Sequence, residues 1–232
     1  MLCKIADLTV EIPEAGGMSP RCRDYLTSKT LSADITICAE QYRTDRSREL
    51  YRDKAEYMES GRIFTSNLLY FNGMVLHASA VALDGRAYLF SGPCGTGKST
   101  HTGLWQQVFG EAAQVFNDDK PALRRLEDGW FAYGTPWSGK NEINVNRKVA
   151  LAGICFLKQS EKNEIRRLSP IEALPLVISQ TMHRFRSVEK LDLMLKITEQ
   201  LVQEIPIYEF YNRPEREAAM LSFQTMRRGA EE

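Results

Sequence analysis

The residues with the clearest chemical meaning form one run, Gly92-Pro93-Cys94-Gly95-Thr96-Gly97-Lys98-Ser99. The run fits the pattern G-x-x-x-x-G-K-[ST], which builds a loop around phosphate groups when it stands between a strand and a helix. Its glycines permit positive φ, so backbone N–H groups can turn inward, and a helix that begins near Lys98 adds the positive end of its dipole. Lys98 would then reach the β- and γ-phosphates of a nucleotide, and the Ser99 hydroxyl would be a ligand of Mg²⁺.

We therefore predict that this loop binds ATP together with Mg²⁺. The alternative is a glycine-rich turn that only caps a helix. An extra glycine inside the run, a predicted strand before it and a predicted helix after it favour the phosphate loop. The residues predicted to bind the nucleotide are Gly92, Gly95, Thr96, Gly97, Lys98, Ser99, Thr100 and Lys140.

A pair of neighbouring carboxylates follows about 18 residues after the loop, in Asn117-Asp118-Asp119. Adjacent aspartates suit the transfer of a phosphoryl group to a hydroxyl, because one can bind the metal while the other takes the proton of the acceptor. The alternative is a turn after a strand, since Asn and Asp favour turns. The spacing from the phosphate loop favours the catalytic interpretation.

An antiparallel hairpin is predicted to lead into the phosphate loop. Two β-rich runs, residues 75–83 and 86–92, are joined by Asp84-Gly85, and both central residues of a type I′ turn need positive φ. The order of elements predicts an α/β fold, with a mixed sheet whose antiparallel hairpin feeds the loop and with flanking helices. The other predicted elements are a helix over 99–109, strands around 115–116, 122–126, 130–133, 149–157 and 206–211, and helices from 169, over 191–205 and over 215–226.

Residues 1–70 are predicted to form an extension that packs on a catalytic domain over residues 71–232. Two strand-like runs, 5–12 and 33–39, can form a small sheet, and apolar residues between 47 and 67 recur at helical spacing. A chain of 232 residues has room for one domain with such an extension, but hardly for two independent domains.

The composition is that of a globular protein and excludes several classes. With 43% hydrophobic and 26% charged residues, the chain is neither disordered nor collagen-like. Thirty basic and 30 acidic residues give zero net charge, so no global field draws it to nucleic acid or to an anionic membrane. The five cysteines contain no C-x-x-C pair, which indicates neither a disulfide framework nor a zinc site. With no signal peptide and no apolar run of ~18 residues, we expect a cytoplasmic protein, and a homo-oligomer is compatible with the sequence.

Three features together resemble the catalytic domain of the HPr kinase/phosphorylase family, which shares its fold with phosphoenolpyruvate carboxykinase. They are His77 in LHASAVALDG, the loop GPCGTGKST and the later NDD, within about residues 70–160. The resemblance implies a metal-dependent enzyme that phosphorylates a serine hydroxyl, and relatives encoded with peptide-modification systems phosphorylate precursor peptides. It also implies that Asp118 is the general base, that Asp119 binds the metal, and that His77 contacts the base from the neighbouring strand. Taken alone, His77 would be a half-buried histidine of an alternating strand.

Residues 134–141 fall where that family carries a second signature loop, although the letters differ. In this interpretation Lys140 neutralises charge on the transferring phosphoryl group, and Trp137 lines the acceptor pocket or stacks on a base. A plain aromatic-rich turn is the alternative. Arg184 and Arg186 are further candidates for charge stabilisation, with surface ion pairs as the alternative.

These residues together predict an ATP- and Mg²⁺-dependent kinase that acts on a hydroxyl, with a Ser or Thr of a peptide or small protein as the preferred acceptor. Asp118, His77 and Lys98 are the predicted catalytic residues, and Ser99 and Asp119 the predicted metal ligands. Two alternatives stay open. One is a nucleotide-sensing module that binds without chemistry, and the other is a phosphotransferase for a small molecule.

Overall fold

The structure is a computed structural model that describes residues 1–14, 17–28, 32–42, 52–181 and 187–230. Over these residues the chain forms two β-sheets with flanking helices. The strands are β1 (Leu2–Ile5), β2 (Leu8–Glu11), β3 (Ile35–Thr36), β4 (Gly73–Val75), β5 (Ala78–Leu83), β6 (Arg86–Ser91), β7 (Gln114–Asn117), β8 (Ala122–Leu126), β9 (Gly129–Tyr133), β10 (Lys148–Gln159), β11 (Glu164–Arg167) and β12 (Ile207–Asn212). The helices are α1 (Met18–Arg21), α2 (Arg52–Leu68), α3 (Lys98–Phe109), α4 (Pro170–Gln180), α5 (Val188–Glu204) and α6 (Arg216–Gly229).

The small sheet lies at the N-terminus and has the order β1-β2-β3. β1 and β2 pair antiparallel, and β3 adds parallel to β2. The single strand predicted over residues 5–12 is wrong, because the chain turns at Ala6 and Asp7, whose φ angles are 52° and 61°. Alanine seldom adopts positive φ, so the sequence gives no turn signal at this point.

The main sheet has nine strands and is mixed, as predicted. Its order is β4-β8-β9-β10-β6-β5-β7, with β12 beside β10 and β11 beside β12. β10 pairs parallel with β6 along one edge; along the other edge it pairs antiparallel with β9 and, further on, parallel with β12. This long strand therefore joins an antiparallel half of the sheet to the half that carries the phosphate loop.

The predicted hairpin is confirmed. β5 and β6 pair antiparallel from Ala78 opposite Ser91 to Leu83 opposite Arg86. Asp84 and Gly85 link the two strands with φ angles of 52° and 75°, as a type I′ turn requires. The phosphate loop accordingly leaves the second arm of an antiparallel hairpin.

β6 is buried on both faces of the sheet after its first residue, which explains the apolar run at residues 87–90. Ala87 and Leu89 face a hydrophobic cluster that includes residues of α4 and α5. Tyr88 and Phe90 face another cluster with residues of α3 and α6. Because strand residues alternate between faces, helices on both sides of the sheet hold this strand rigidly in place.

A third hydrophobic cluster joins the N-terminal segment to the main sheet. It contains the inner residues of the small sheet, Phe64 and Leu68 of α2, Tyr133 at the end of β9, and Trp137 beyond that strand. The Arg124 guanidinium also donates to the Ala6 carbonyl at 2.7 Å. The division of the chain at residue 70 stays a prediction, since this cluster draws on residues from both sides of it.

The C-terminal elements follow the sequence closely. The capping box at Ser169 and Glu172 opens α4, which runs through Pro175 to Gln180, and α5 ends just before Pro206. In the part of the chain that the structure covers, none of the helices has both the length and the apolar character needed to span a lipid bilayer.

Gly134 offers a test of how tightly the segment after β9 is packed. A Cβ at this position would overlap the Val145 carbonyl oxygen and lie 3.0 Å from that of Phe116. We expect Gly134→Ala to lower the free energy of unfolding by about 3 kcal/mol, because backbone atoms cannot yield as a side chain can. Gly103→Ala, at an open helical position, should instead raise it by up to about 1 kcal/mol. Denaturant unfolding measures both, and equal stabilities of the two variants would contradict the packing described.

Candidate functional site

The pairing of β5 brings three separate chain segments to one edge of the main sheet. β5 runs antiparallel to β6 on one side and to β7 on the other. β6 and β7 are therefore parallel to each other, and both end where β5 begins. The phosphate loop follows β6, the aspartate pair follows β7, and His77 immediately precedes β5. The sheet thus assembles the predicted site.

The phosphate loop has the backbone that its glycines predict. Gly92, Gly95 and Gly97 have φ angles of 142°, 86° and 95°, and α3 begins at Lys98 directly after them. Thr96 is partly buried and its hydroxyl donates to the Pro93 carbonyl at 2.9 Å, whereas Ser99 and Thr100 are exposed at the start of the helix. Exposed hydroxyls at this helix end are free to meet phosphate oxygens and a metal.

Lys98 folds back over the loop. Its ammonium group donates to the carbonyls of Gly92 at 2.8 Å and Pro93 at 3.1 Å. Burial lowers the pKa of Lys98, and the nearby Cys94 and Asp119 work against that effect. The lysine is thus held at the mouth of the loop, within electrostatic reach of Asp119.

His77 lies outside any strand, contrary to the single strand predicted over 75–83. The chain breaks between β4 and β5, and the His77 N–H donates to the Gln180 carbonyl at 2.9 Å. Its ring is held on two sides, with Nδ1 3.0 Å from Gln180 Oε1 and Nε2 3.3 Å from Asp119 Oδ1. We expected His77 to contact Asp118, and the structure pairs it with Asp119 instead.

The two aspartates lie in the turn after β7 and meet different partners. Asp119 points to His77 and Lys120, with 2.7 Å between its Oδ2 and the lysine ammonium. Asp118 points away and accepts the Gly139 N–H at 2.7 Å. Only 6% of Asp118 is exposed, and a Cβ on Gly139 would come within 3.0 Å of its carboxylate. The close cover over Asp118 therefore depends on a glycine.

The environment of Asp119 favours the ionised carboxylate. Burial alone would raise the pKa of Asp119, but hydrogen bonds and positive charge from His77 and Lys120 lower it to about 2. In the same way burial would lower the pKa of Lys120, and Asp119 together with Tyr57 raises it. A carboxylate held ionised in this way suits a metal ligand better than a proton acceptor.

The donor chemistry of this edge fits Mg²⁺. Within the described ranges, no group of three or more His, Cys, Asp and Glu side chains lies close enough to hold a metal alone. Mg²⁺ does not need such a group, since it is usually bound by one or two protein oxygens together with substrate phosphates and water. The Ser99 hydroxyl and the Asp119 carboxylate are hard oxygen ligands of this kind.

Residues 134–141 cover Asp118 through Gly139, and the role predicted for Trp137 is wrong. Trp137 is buried, stacks on Phe64 with ring centroids 4.7 Å apart, and donates to Ser60 Oγ at 3.1 Å. It is therefore a core residue that cannot stack on a base. Lys140 is exposed, and its role in neutralising the transferring phosphoryl group stays a prediction. Arg184 and Arg186 lie outside the described residues.

Two adjoining cavities open at this edge. One, of about 500 Å³, borders the loop and is lined by residues that include Gly92, Thr96, Phe156 and Leu176. The other, of about 350 Å³, is lined by residues that include His77, Asp119 and Lys120. Ser179 and Gln180, at the end of α4, line both. The end of α4 is thus the shared wall between the phosphate loop and the carboxylate.

Three residues of the site were given no role from the sequence alone. The buried Asn117 accepts the N–H groups of Asp119 and Lys120 at 3.1 and 2.7 Å, which forms the turn that presents the carboxylates. An Asn at the start of such a turn is a recognisable local signal. Gln180 and Tyr57 carry no such signal, because they reach the site only through tertiary contacts.

Comparison with known proteins gives similarity to solved structures only. No model of a protein family and no curated protein sequence matches the chain. Among solved structures, the Hpr(Ser) kinase/phosphatase from Coxiella burnetii is similar with a TM-score of 0.40 and 13% sequence identity, over 68% of this chain and 90% of that chain. At this identity and TM-score the similarity is distant.

A buried histidine anchors the helix that follows the phosphate loop. His101 Nε2 lies 3.0 Å from Ser222 Oγ of α6, which also accepts the Trp105 indole N–H at 3.0 Å. Burial lowers the pKa of His101 to about 3, so the imidazole is neutral in the folded protein. This contact fixes the start of α3, and with it the loop, against α6.

His101 gives the folded protein a pH dependence that can be measured. Below its ordinary pKa the unfolded chain takes up a proton that the folded protein excludes, so stability falls as pH falls. We expect this residue to lower the free energy of unfolding by about 2 kcal/mol between about pH 7 and pH 5. Urea unfolding should show that His101→Gln lacks this part of the slope while Ser222→Ala retains it. An unchanged slope in His101→Gln would contradict the assignment.

Proposed function

We propose that the protein is an ATP- and Mg²⁺-dependent kinase that transfers a phosphoryl group to a hydroxyl, preferably of a Ser or Thr in a peptide or small protein. One observation carries the proposal. The phosphate loop, with its lysine, stands at the same sheet edge as an ionised carboxylate whose charge reaches that lysine. A loop that merely capped a helix would need neither the carboxylate nor His77.

In this proposal the loop binds the phosphates of ATP. The backbone N–H groups around Gly95 and Gly97 and the start of α3 face the phosphate oxygens, and exposed Ser99 and Thr100 hydroxyls border them. Lys98 exchanges its hydrogen bonds to the Gly92 and Pro93 carbonyls for bonds to the β- and γ-phosphates. Because the exchange replaces neutral acceptors by charged ones, it favours the bound state.

Ser99 and Asp119 would hold Mg²⁺, which when bound neutralises charge on the β- and γ-phosphates. His77 and Lys120 support this role, since each contacts one oxygen of Asp119 and keeps it ionised. His77 then orients the metal ligand Asp119. The sequence had led us to expect that it contacts the base, Asp118.

Asp118 would act as the general base. As the acceptor hydroxyl oxygen bonds to the γ-phosphorus, its proton passes to Asp118, and the bond from phosphorus to the β–γ bridging oxygen breaks with release of ADP. The Gly139 N–H holds one carboxylate oxygen, which fixes the orientation of the other. Access requires that residues 137–139 move or that the acceptor enters beside them, since Asp118 is covered.

A second candidate is a nucleotide-binding module without transfer. The specific observation in its favour is that Asp118 is covered while Lys120 already neutralises Asp119. The two candidates differ in a direct measurement, because a binding module would bind ATP and release no labelled product with any acceptor.

The aspartate pair provides the decisive variants. We expect Asp118→Asn to lower phosphoryl transfer by about 100-fold or more while ATP still binds, because it removes the proton acceptor. Asp119→Asn should raise the Mg²⁺ concentration needed for half-maximal transfer by at least about ten-fold, because it removes a metal ligand. Lys98→Met should weaken ATP binding itself.

The assay uses ATP labelled at the γ-phosphoryl group, with water, peptide fractions or small hydroxyl compounds as acceptors, and calorimetry for binding. Asp128→Asn, a carboxylate-to-amide change on the exposed turn between β8 and β9, is the matched control. Wild-type turnover in Asp118→Asn would show that the base is another residue. Label found only on small compounds would move the acceptor class away from peptides.

A further inference from the structure

We propose that Tyr57, on α2 of the N-terminal segment, is a positioning residue that couples the two aspartates through its single hydroxyl group. The inference rests on the proposed function for its catalytic meaning, whereas the coupling itself is a property of the contacts. Neither the phosphate-loop pattern nor the aspartate pair points to α2, which lies before the main sheet in the chain.

One arm of the coupling runs from Tyr57 to Asp119. The Lys120 ammonium donates to the Tyr57 hydroxyl at 2.9 Å and to Asp119 Oδ2 at 2.7 Å. The same ammonium lies 4.8 Å from the centre of the Tyr57 ring, at a distance where a cation and an aromatic face attract. Tyr57 therefore holds in place the cation that pairs with Asp119.

The other arm runs from Tyr57 to Asp118. The Tyr57 hydroxyl donates to the Ser138 carbonyl at 2.7 Å, and the next residue, Gly139, donates its N–H to Asp118 Oδ1 at 2.7 Å. Ser138 and Gly139 are consecutive, so the peptide group between them links Tyr57 of α2 to the Asp118 carboxylate. Arg21 reinforces this arm by donating to Ser138 Oγ at 2.9 Å while its guanidinium lies 5.0 Å from the Tyr57 ring centre.

The two arms end on consecutive residues, Asp118 and Asp119, and so form a ring of contacts. The donor and acceptor of each hydrogen bond at the Tyr57 hydroxyl are fixed. A lysine ammonium can only donate and a carbonyl oxygen can only accept, so the hydroxyl must accept from Lys120 and donate to Ser138. Each bond polarises the next in such a chain, and removal of the central hydroxyl leaves both neighbours without this partner. This ring is one path of contacts by which a shift of either aspartate reaches the other.

The ring lies beside the aspartates and not at the phosphate loop. Among the described contacts, Tyr57 has none with residues 92–99. A change at Tyr57 should therefore alter turnover and leave ATP binding as it is. Substitution of a residue that only supports overall folding would not change turnover while leaving ATP binding intact.

The experiment compares Tyr57→Phe with Tyr25→Phe. The first keeps the ring and removes the coupling hydroxyl; the second removes a buried hydroxyl of the same N-terminal segment that has no hydrogen-bond partner among the described residues. We expect hydrogen exchange of the Gly139 amide, followed by NMR, to become at least about ten-fold faster in Tyr57→Phe and to stay unchanged in Tyr25→Phe. Phosphoryl transfer at saturating ATP should fall by about ten-fold in Tyr57→Phe with an unchanged Kd for ATP.

A double-mutant cycle with Lys120→Met separates coupling from independent damage. If both residues act through one ring, Gly139 exchange in the double variant should be no faster than in the more affected single variant. Unchanged Gly139 exchange in Tyr57→Phe, or fully additive effects in the cycle, would overturn the inference. Absence of turnover in the unaltered protein would instead overturn the proposed function, and Gly139 exchange would still decide whether Tyr57 couples the aspartates.

Discussion

The antiparallel pairing of β5 with both β6 and β7 is the constraint on which the site depends. A strand that runs against both neighbours makes those neighbours parallel, so their ends meet at one edge without any further device. The sequence places the phosphate loop after one of them and the carboxylates after the other. His77 immediately precedes the strand between them, so the same pairing brings it to this edge. Helices on both faces keep β6 from shifting, which holds the three segments in a fixed relation.

The two neighbouring carboxylates differ in their electrostatic surroundings. The turn that begins at Asn117 presents Asp118 and Asp119 to different partners, so each meets a different environment. Asp119 meets positive charge and stays ionised, while Asp118 meets a backbone N–H under a tight cover. A chain with zero net charge can therefore contain a strongly polarised site, since the fields that matter act over a few ångströms. Composition alone gives no indication of such a site.

The sequence predicted the turns and loops that depend on neighbouring residues. It did not predict the side-chain contacts that depend on residues far away in the chain. Asp84-Gly85 fixed the hairpin, and the glycines of the phosphate loop fixed its backbone, because positive φ is a local requirement. The turn at Ala6 and Asp7 was not predicted, since alanine seldom adopts the positive φ found there. His77 was placed inside a strand because no local pattern shows where a chain exchanges one pairing partner for another. The direction of each aspartate and the burial of Trp137 depend on residues that are far away in sequence, so the roles given to them needed the structure.

The packing of Trp137 against α2 also bears on how such a chain can change over generations. Its indole stacks on Phe64 and crosses Gly61, where a Cβ would approach it to 3.0 Å. A larger residue at position 61 would thus be tolerated only with a smaller one at 137, and the replacement of 137 would disturb the cover of Asp118 two residues away. Positions in the first 70 residues and positions beside the aspartates should accordingly vary together among descendants of this protein. A lineage that lost the N-terminal segment would have to find another surface for that indole before it could keep the site.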